Sequence, residues 1–330
     1  MFRSLPRVPL AHAFTAQVRV SRPQNLRSAD DALLHLLSRL RAVDYAFVSP
    51  TPATHGLVRS RRPASADDFL RDVLGWGRAF DPQDAPAWLV QAMSDADALH
   101  HGEADCRSLL RVSTLDGRLH LHSASSRQED AVFLGPDSYR YVRFLRQSLT
   151  GVPFNRALEI GVGAGAGALA LAALQPSARI VATDINPLAL RLAGLNALHS
   201  GLALQLLAGT LPSDGGRFDL IIANPPYMAG RQGRLYRDGG ERYGAETALD
   251  WATAALPLLE PGGRFLLYTG APVVAGVDVV REALDALTAG HGTILTYDEI
   301  DPDIFGGSLG SSAYFDVERI AAVSAVITVA

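Results

Sequence analysis

The sequence has no lysine, and all 30 of its basic residues are arginine. It has one cysteine, Cys106, which excludes an internal disulfide and a zinc site built from several thiolates. No uncharged apolar run approaches the roughly 20 residues that a helix needs to cross a bilayer, so no membrane partner is predicted. A chain without disulfides or membrane spans is typical of the cytoplasm, which is its predicted location.

The sequence does contain enough apolar material for a full core, since 48% of its 330 residues are hydrophobic, and this length favours two domains. The charge is uneven. Residues 1–150 hold 19 arginines against 16 acidic residues, whereas residues 151–330 hold 11 against 18. A polyanion would therefore bind the first part more favourably. Residues 1–27 have basic charges only and are predicted to form a basic tail, although an organelle transit peptide shares this composition.

Residues 28–135 are predicted to form a smaller amino-terminal α+β domain that recognises the substrate. Three amphipathic stretches each follow a residue that favours a helix start. The expected helix starts are Ser28, Ser65 and Pro86.

Two stretches of this domain are expected to interrupt or follow its helices. FVSPTPATHG, with two prolines and a glycine, is predicted to be non-helical, and His100 and His101 are predicted to lie in a loop. LLRVST and RLHLHSA flank Asp116 and Gly117, which predicts a hairpin with a two-residue turn. Three helices followed by this two-stranded wing favour a winged-helix-like domain.

Residues 136–330 alternate short apolar runs with helical ones, which predicts a Rossmann-like, doubly wound α/β sheet. A helix over Pro136–Leu149 is expected to link the two domains. In such a sheet, ligands bind beyond the carboxyl ends of the strands. The five expected strands are RALEIGVG, RIVATD, ALQLLAG, FDLIIAN and RFLLYTG.

A glycine-rich loop follows the first of these strands. Gly161, Gly163 and Gly165 allow positive φ angles and a close approach of the backbone to a ligand. Asp184 ends the next strand, where a carboxylate can bind ribose hydroxyls. The combination predicts a nucleoside cofactor but fits both a nicotinamide dinucleotide and S-adenosylmethionine.

The fourth strand ends in Asn224-Pro225-Pro226-Tyr227, which can continue neither a helix nor a sheet. Asn224 and the Pro225 carbonyl offer two acceptors for the two hydrogens of a planar –NH2 group. Pro226 stiffens the turn, and Tyr227 offers a flat face for stacking. This motif favours S-adenosylmethionine and an amino methyltransferase over an NAD oxidoreductase, and the four residues are predicted to be catalytic.

At these residues the chain resembles class I S-adenosylmethionine-dependent methyltransferases, and among them the HemK/PrmC type that methylates a glutamine amide in peptide release factors. The resemblance runs from residue 136 to about residue 270. Pro136-Asp137-Ser138 corresponds to a Pro-Glu-Thr segment of that family.

The resemblance implies a set of cofactor contacts for S-adenosylmethionine. Glu159 and the glycine loop would contact the methionine part, and Asp184 the ribose. The family has an acid beside the adenine, where this sequence has Thr210 and Leu211, so a backbone or hydroxyl contact is expected there. The full predicted cofactor-binding set is Glu159, Gly161, Gly163, Gly165, Asp184, Ile185, Thr210, Leu211 and Asn224.

Several acceptors remain open at the level of sequence. A protein glutamine in a release factor or a ribosome-associated protein is the first prediction. Methylation of an exocyclic amine, adenine N6 or guanine N2, in RNA or DNA is the alternative, because the same motif can grip a base. A non-catalytic module that binds the cofactor is a further alternative.

Other polar features are interpreted as ordinary structure. His120 and His122 lie two residues apart on one predicted strand, but a metal site needs a third ligand, so no metal is predicted. The segments 236–247 and 301–307 are predicted to be loops, and the first could close over a substrate. Three arginines at a spacing of three are expected on one solvated helix face: Arg140, Arg143 and Arg146.

Overall fold

The computed structural model describes residues 24–124, 128–212, 216–229, 236–289 and 292–330, apart from the side chains of residues 24–27 and 66. Most of the predicted basic tail therefore lies outside the described residues. Among those described, no helix is both long enough and apolar enough to cross a membrane.

Within residues 24–124 the amino-terminal part has four α-helices and four short strands, in agreement with the predicted α+β composition. The strands form two antiparallel pairs, β1 with β2 and β3 with β4. The elements are α1 (Gln24–Ala42), α2 (Pro52–Arg61), α3 (Phe69–Leu74), α4 (Ala87–Asp95), β1 (Leu99–His101), β2 (Cys106–Ser108), β3 (Leu110–Leu115) and β4 (Arg118–Ser123).

Three local predictions for this part were wrong. The first helix begins at Gln24 instead of Ser28, and His100 lies with its neighbour in β1 instead of a loop. The stretch FVSPTPATHG contains α2, because Pro52 occupies the first turn, where a missing N–H costs nothing, and the Thr51 hydroxyl accepts a hydrogen bond from Thr54 N at 3.2 Å. Proline therefore starts a helix here.

The other local predictions in this part are confirmed. A 3-10 turn at Ala66–Asp68 leads into α3, and α4 follows Pro86. The β3–β4 hairpin closes through Asp116 and Gly117, whose φ angles of 56° and 73° are those of the mirror-image turns that match strand twist.

The second part forms one eight-stranded sheet with helices on both faces, which confirms the predicted doubly wound α/β fold. The strands run in the order β11-β12-β9-β8-β5-β6-β7, and β10 pairs only with β9. The elements are α5 (Pro136–Leu149), β5 (Arg156–Ile160), α6 (Ala166–Leu174), β6 (Arg179–Asp184), α7 (Pro187–His199), β7 (Gln205–Ala208), β8 (Phe218–Ala223), α8 (Glu246–Ala255), β9 (Leu259–Val274), β10 (Val277–Asp278), α9 (Val279–Thr288), β11 (Ile294–Asp301) and β12 (Val317–Thr328).

The order of the strands places the ligand crevice between β5 and β8. The five strands β5 to β9 are parallel, and the chain moves outward through β6 and β7 before it returns to the other side of β5. In this register Ile160 pairs with Thr183 on one side and with Ala223 on the other. The loops that follow these three strands therefore leave the sheet at one edge, where parallel sheets bind ligands.

One apolar core joins the two parts of the chain. Buried leucines of α1, among them Leu36 and Leu37, belong to the same cluster as Leu192 and Leu195 of α7. An ion pair of 2.7 Å between Arg191 and the buried Asp30 crosses this contact. The amino-terminal part is therefore packed directly on the helix that follows the second strand of the sheet.

Candidate active site

A cavity of about 1010 Å³ lies at the carboxyl ends of β5, β6, β7 and β8. Its walls also include the first residues of α2 and α5 and the segment that follows β11. Most of the predicted site residues line it: Glu159, Gly161, Gly163, Asp184, Ile185, Thr210, Asn224, Pro225, Pro226 and Tyr227.

The glycine loop is held in place by the aspartate at the end of β6. Asp184 accepts a hydrogen bond from Gly163 N through Oδ2 and another from Asn186 N through Oδ1, both at 2.9 Å. Burial raises the pKa of this carboxyl. Ile185, which follows it, is 59% exposed and presents an apolar face beside the cavity.

Glu159 is buried at the base of the cavity and is only 2% exposed. Its carboxyl group accepts hydrogen bonds from Ala168 N at 2.6 Å and from the Tyr141 hydroxyl at 3.2 Å. Burial raises the pKa of Glu159 to about 8. A cationic group in the cavity would favour its ionised form, which makes this residue suited to an ammonium or a sulfonium.

Two residues of the predicted set do not line the cavity. Gly165 has a φ angle of 83° before α6, and a Cβ there would lie 2.7 Å from Leu169 Cδ1, so this glycine permits packing inside the loop. Leu211 packs instead against the apolar cluster under the sheet. The preceding Thr210 reaches the cavity, and its carbonyl accepts a hydrogen bond from Thr183 Oγ1 at 2.8 Å.

Asn224 is the first residue after β8, and its side chain makes no hydrogen bond within the ranges that the structure describes. Its Oδ1 is buried without a partner. An unsatisfied buried polar group costs about 1–3 kcal/mol, so this amide is placed where a ligand can pair with it. The broken strand therefore sets an unpaired amide on the cavity wall.

Tyr227 is fixed by its neighbours and is 9% exposed. A Cβ at Gly270 would lie 2.6 Å from Tyr227 Cδ2, so the ring rests directly on that glycine. Burial, followed by the neighbouring Asp137 carboxylate, raises the pKa of Tyr227 well above its usual value. Asp137 also accepts a hydrogen bond of 2.9 Å from the buried Tyr268 hydroxyl.

Three segments of the cavity wall were not predicted from the sequence to lie at the site. The start of α2 contributes Thr51 to Ala53, and Phe133 stacks on Tyr236 with ring centroids 5.6 Å apart and an interplanar angle of 18°. The segment after β11 contributes Phe305, whose ring centroid lies 5.9 Å from that of Tyr227. No local pattern in the sequence marks these segments, because each lies far along the chain from the motifs with which it shares the cavity.

Two of the three arginines predicted on one face of α5 form ion pairs, whereas Arg143 is exposed as predicted. Arg140 contacts Asp137 at 3.3 Å and Asp301 at 2.9 Å, and so joins α5 to the end of β11. Arg146 lies 2.5 Å from Asp116 in the hairpin turn. The Arg140 pair therefore ties the end of β11 to α5, and the Arg146 pair ties the hairpin to α5.

The β3–β4 hairpin contacts the glycine loop through the backbone of Ala164. The Ala164 carbonyl accepts hydrogen bonds from His120 Nδ1 at 3.3 Å and from Asn196 Nδ2 at 3.0 Å. Burial lowers the pKa of His120 to about 4, so the ring is neutral at pH 7. His122 pairs with Ser113 Oγ at 2.8 Å. No group of three possible metal ligands occurs in the described ranges.

Comparison with known proteins identifies the type of domain around this cavity. Residues 138–241 match the family described as "Methyltransferase small domain". This stretch is similar to a methyltransferase small domain. The chain is 37% identical over 144 residues to the release factor glutamine methyltransferase of Deinococcus radiodurans, which covers 40% of this chain and 51% of that protein.

Two other proteins that are similar to part of this chain have names that differ from that of the first relative. Mouse methyltransferase HEMK2 is 36% identical over 124 residues, 34% of this chain and 58% of that protein. Ribosomal RNA small subunit methyltransferase C of Erwinia tasmaniensis is 30% identical over 142 residues, 42% of this chain and 40% of that protein. The chain spans about half the length of the curated relatives it matches. The predicted resemblance to HemK/PrmC-type methyltransferases is confirmed.

Solved structures give weaker likenesses. M. jannaschii TYW2 in complex with AdoMet has 11% identity and a TM-score of 0.48, and the alignment covers 70% of this chain and 90% of that one. The fold assignment rests instead on the strand order described above.

The cavity of the methyltransferase small domain fits S-adenosylmethionine, the cofactor that the family supports. Gly161 and Gly163, with φ angles of 73° and 51°, keep the loop beside β5 free of side chains. The buried Glu159 suits the cationic methionine part, and the Asp184 carboxylate suits the ribose hydroxyls. The exposed Ile185 offers an apolar surface to a base.

Proposed function

We propose that this chain is an S-adenosylmethionine-dependent N-methyltransferase whose acceptor is the amide nitrogen of a protein glutamine side chain. The observation that carries the proposal is the unpaired amide of Asn224 on the cavity wall, next to the broken end of β8. A primary amide brings two N–H donors, which such acceptors satisfy. The names of the release factor glutamine methyltransferases support a release factor or a ribosome-associated protein as the partner.

The chain's own residues would bind and orient the two reactants. Glu159, the glycine loop and Asp184 would hold the cofactor, which supplies an electrophilic methyl group when bound. Asn224 and the Pro225 carbonyl would accept the two hydrogens of the planar –NH2 group and keep the nitrogen in line with that methyl. The nitrogen would bond to the methyl carbon as the bond from that carbon to sulfur breaks, S-adenosylhomocysteine would leave, and the nitrogen would release one proton to water. The reaction would therefore depend on the positioning and polarisation of the –NH2 group, and it would need no strong base.

Tyr227 would hold the acceptor group flat. Its ring contacts Gly270 and lies near Phe305 in a tilted arrangement, and its hydroxyl lies beside Asp137. A fixed aromatic ring loses little conformational entropy when a planar group stacks on it. Pro226 limits the backbone freedom of the turn that presents this ring.

The test is transfer of labelled methyl from S-adenosylmethionine into an extract of cells that lack this protein. Wild type should label material that protease removes. Asn224→Ala should lower the rate by about 10²–10³, as loss of one positioned polar group does, and should still bind S-adenosylhomocysteine in calorimetry. Asn155→Ala, an exposed asparagine outside the cavity, is the matched control. Equal labelling by Asn224→Ala and wild type would contradict the proposed role.

A second candidate acceptor is an exocyclic amine of a nucleic-acid base. The stacked pair Phe133 and Tyr236 on the cavity wall favours it, because bases bind well to aromatic faces. A relative named ribosomal RNA small subunit methyltransferase C also supports it. Label removed by RNase or DNase, and not by protease, would select this candidate. Cofactor binding without any label would favour a non-catalytic module.

A cytoplasmic location is part of the same proposal. The one cysteine, Cys106, is a buried free thiol in this structure, which suits a reducing compartment. Fractionation of cells that produce the tagged protein, with detection in the cytosolic fraction, tests this location.

A further inference from the structure

Asn224-Pro225-Pro226-Tyr227, which we call the acceptor motif, leaves the sheet and has few means of holding itself in place. Pro225 and Pro226 have no N–H and donate no backbone hydrogen bond. Positioning of a reacting nitrogen tolerates little slack, because a displacement of about 1 Å can lower a rate about 10²-fold. The chain that follows the motif must therefore be held by other elements.

The described segment 236–247 holds the residue that follows the motif. Met228 N donates a hydrogen bond to the Arg237 carbonyl at 3.0 Å, and the Met228 carbonyl accepts one from Gly239 N at 2.8 Å. A Cβ at Gly239 would lie 2.7 Å from Tyr227 Cα, so the two backbones are in direct contact. This glycine-rich segment is therefore packed against the backbone of the motif.

Tyr314 holds the next residue through its side chain. It belongs to the 3-10 turn Ser312–Tyr314, which lies between β11 and β12. Its hydroxyl oxygen accepts a hydrogen bond from Ala229 N at 2.6 Å and lies 3.9 Å from Met228 Sδ. Tyr314 is 3% exposed and belongs to the same apolar cluster as Tyr227 and Met228. A contact between residues 85 positions apart therefore fixes the chain just beyond the motif.

We propose that Tyr314 is a positioning residue for the acceptor motif and acts through the hydrogen bond from Ala229 N to its hydroxyl oxygen. This role rests on the proposed function, in which Asn224 and Tyr227 receive the methyl acceptor. Tyr314 is not among the described residues that line the cavity, so its effect on transfer passes through the chain that it holds. Loss of the hydroxyl would leave the Ala229 N–H without this partner and would loosen the Tyr227 ring two residues earlier.

Tyr297 on β11 is a matched control for this tyrosine. It also packs against an apolar cluster, and its hydroxyl donates a hydrogen bond of 2.7 Å to Asp278 Oδ2. This bond joins β11 to the start of α9, and neither of these two described residues lines the cavity. Tyr297→Phe therefore removes a hydroxyl in a similar setting without a change at the acceptor motif.

The test is the rate of labelled methyl transfer into an extract of cells that lack this protein, at several concentrations of S-adenosylmethionine. Tyr314→Phe should lower the maximal rate roughly ten- to hundredfold and leave the KM for S-adenosylmethionine unchanged. It should also bind S-adenosylhomocysteine like wild type in calorimetry. Tyr297→Phe should transfer methyl like wild type, even if urea unfolding shows that both variants lose stability. A maximal rate that is unchanged in Tyr314→Phe, or lowered equally in both variants, would overturn the proposal.

Hydrogen exchange at the Ala229 amide tests the same contact without methyl transfer. Exchange should be faster in Tyr314→Phe than in wild type and unchanged in Tyr297→Phe, measured by mass spectrometry on peptic peptides that contain Ala229. Equal exchange in Tyr314→Phe and wild type would overturn the proposal, whatever polymer is labelled. Wild-type label that resists protease would refute the protein acceptor, and the two variants would then be compared on the polymer that is labelled. If wild type labels nothing, the proposed function fails, and the exchange rates alone decide whether Tyr314 holds the motif.

Discussion

Replacement of single glycines in the cofactor loop by alanine separates backbone strain from crowding. Gly161 and Gly163 both have left-handed φ angles, 73° and 51°. A Cβ at position 161 would lie 2.5 Å from Trp251 Cη2 and 2.9 Å from its Cζ3, whereas a Cβ at position 163 would meet no atom within 4 Å. The two variants therefore share the strain and differ in the steric overlap.

The magnitudes follow from these contacts. An alanine in the left-handed region costs about 1–2 kcal/mol, which is the expected loss of unfolding free energy for Gly163→Ala. Overpacking against a half-buried ring adds roughly 1–3 kcal/mol, because Trp251 must move and its neighbours with it. Gly161→Ala should therefore lose about 2–5 kcal/mol and should also weaken binding of S-adenosylhomocysteine.

Urea unfolding followed by far-ultraviolet circular dichroism measures these free energies, provided that the slope m stays constant across the variants. The double variant Gly161→Ala/Trp251→Leu should recover the part of the loss that comes from crowding, down to the level of Gly163→Ala. If both single variants lose the same free energy, or if removal of the Trp251 ring restores nothing, the contact between loop and ring does not limit residue 161.

Three further outcomes are expected from unfolding experiments. Burial raises the pKa of Glu159 from 4.5 to about 8, so the folded state keeps a proton that the unfolded state releases. The contribution of Glu159 to stability is therefore complete below pH 4.5 and is lost as the pH rises through 8. Glu159→Gln should reduce this dependence of the unfolding free energy on pH, measured in urea titrations. Asn196→Ala should lower the free energy of unfolding by about 2–4 kcal/mol, since both backbone groups of Leu121 lose this side-chain partner and the Ala164 carbonyl keeps only His120. Asn155→Ala should cost nothing measurable. Tyr268→Phe should cost about 1–3 kcal/mol, the value of a buried hydrogen bond to a carboxylate, measured by thermal and urea melts.

The sheet and the cofactor side of the cavity were accessible from sequence because their determinants are local. Each strand reads as a short apolar run, and each turn residue follows directly from it. Parallel strands then place consecutive loops at one edge, so Gly161, Asp184 and Asn224 could be assigned to one site before any coordinates. No knowledge of distant contacts was needed for that inference.

The remaining walls of the cavity depend on contacts between segments far apart in the chain. Nothing local in Thr51-Pro52 or in Phe133 marks either as part of the wall of this cavity. The start of α2 was not predicted because its prolines were interpreted as helix breakers, although the first turn of a helix accepts proline. The side chain of Leu211 packs against the apolar cluster, whereas Thr210 lines the cavity, so the backbone or hydroxyl contact predicted for these two residues stays a prediction that Thr210 alone is placed to make.

The amino-terminal part contacts the glycine loop directly and so helps to fix its shape. The Ala164 carbonyl sits between Gly163 and Gly165 and is held by His120 of the hairpin as well as by Asn196 of α7. Asn196 in turn bonds to both backbone groups of Leu121, so hairpin and helix brace each other. Displacement of the hairpin would therefore remove hydrogen bonds that hold the backbone of the glycine loop.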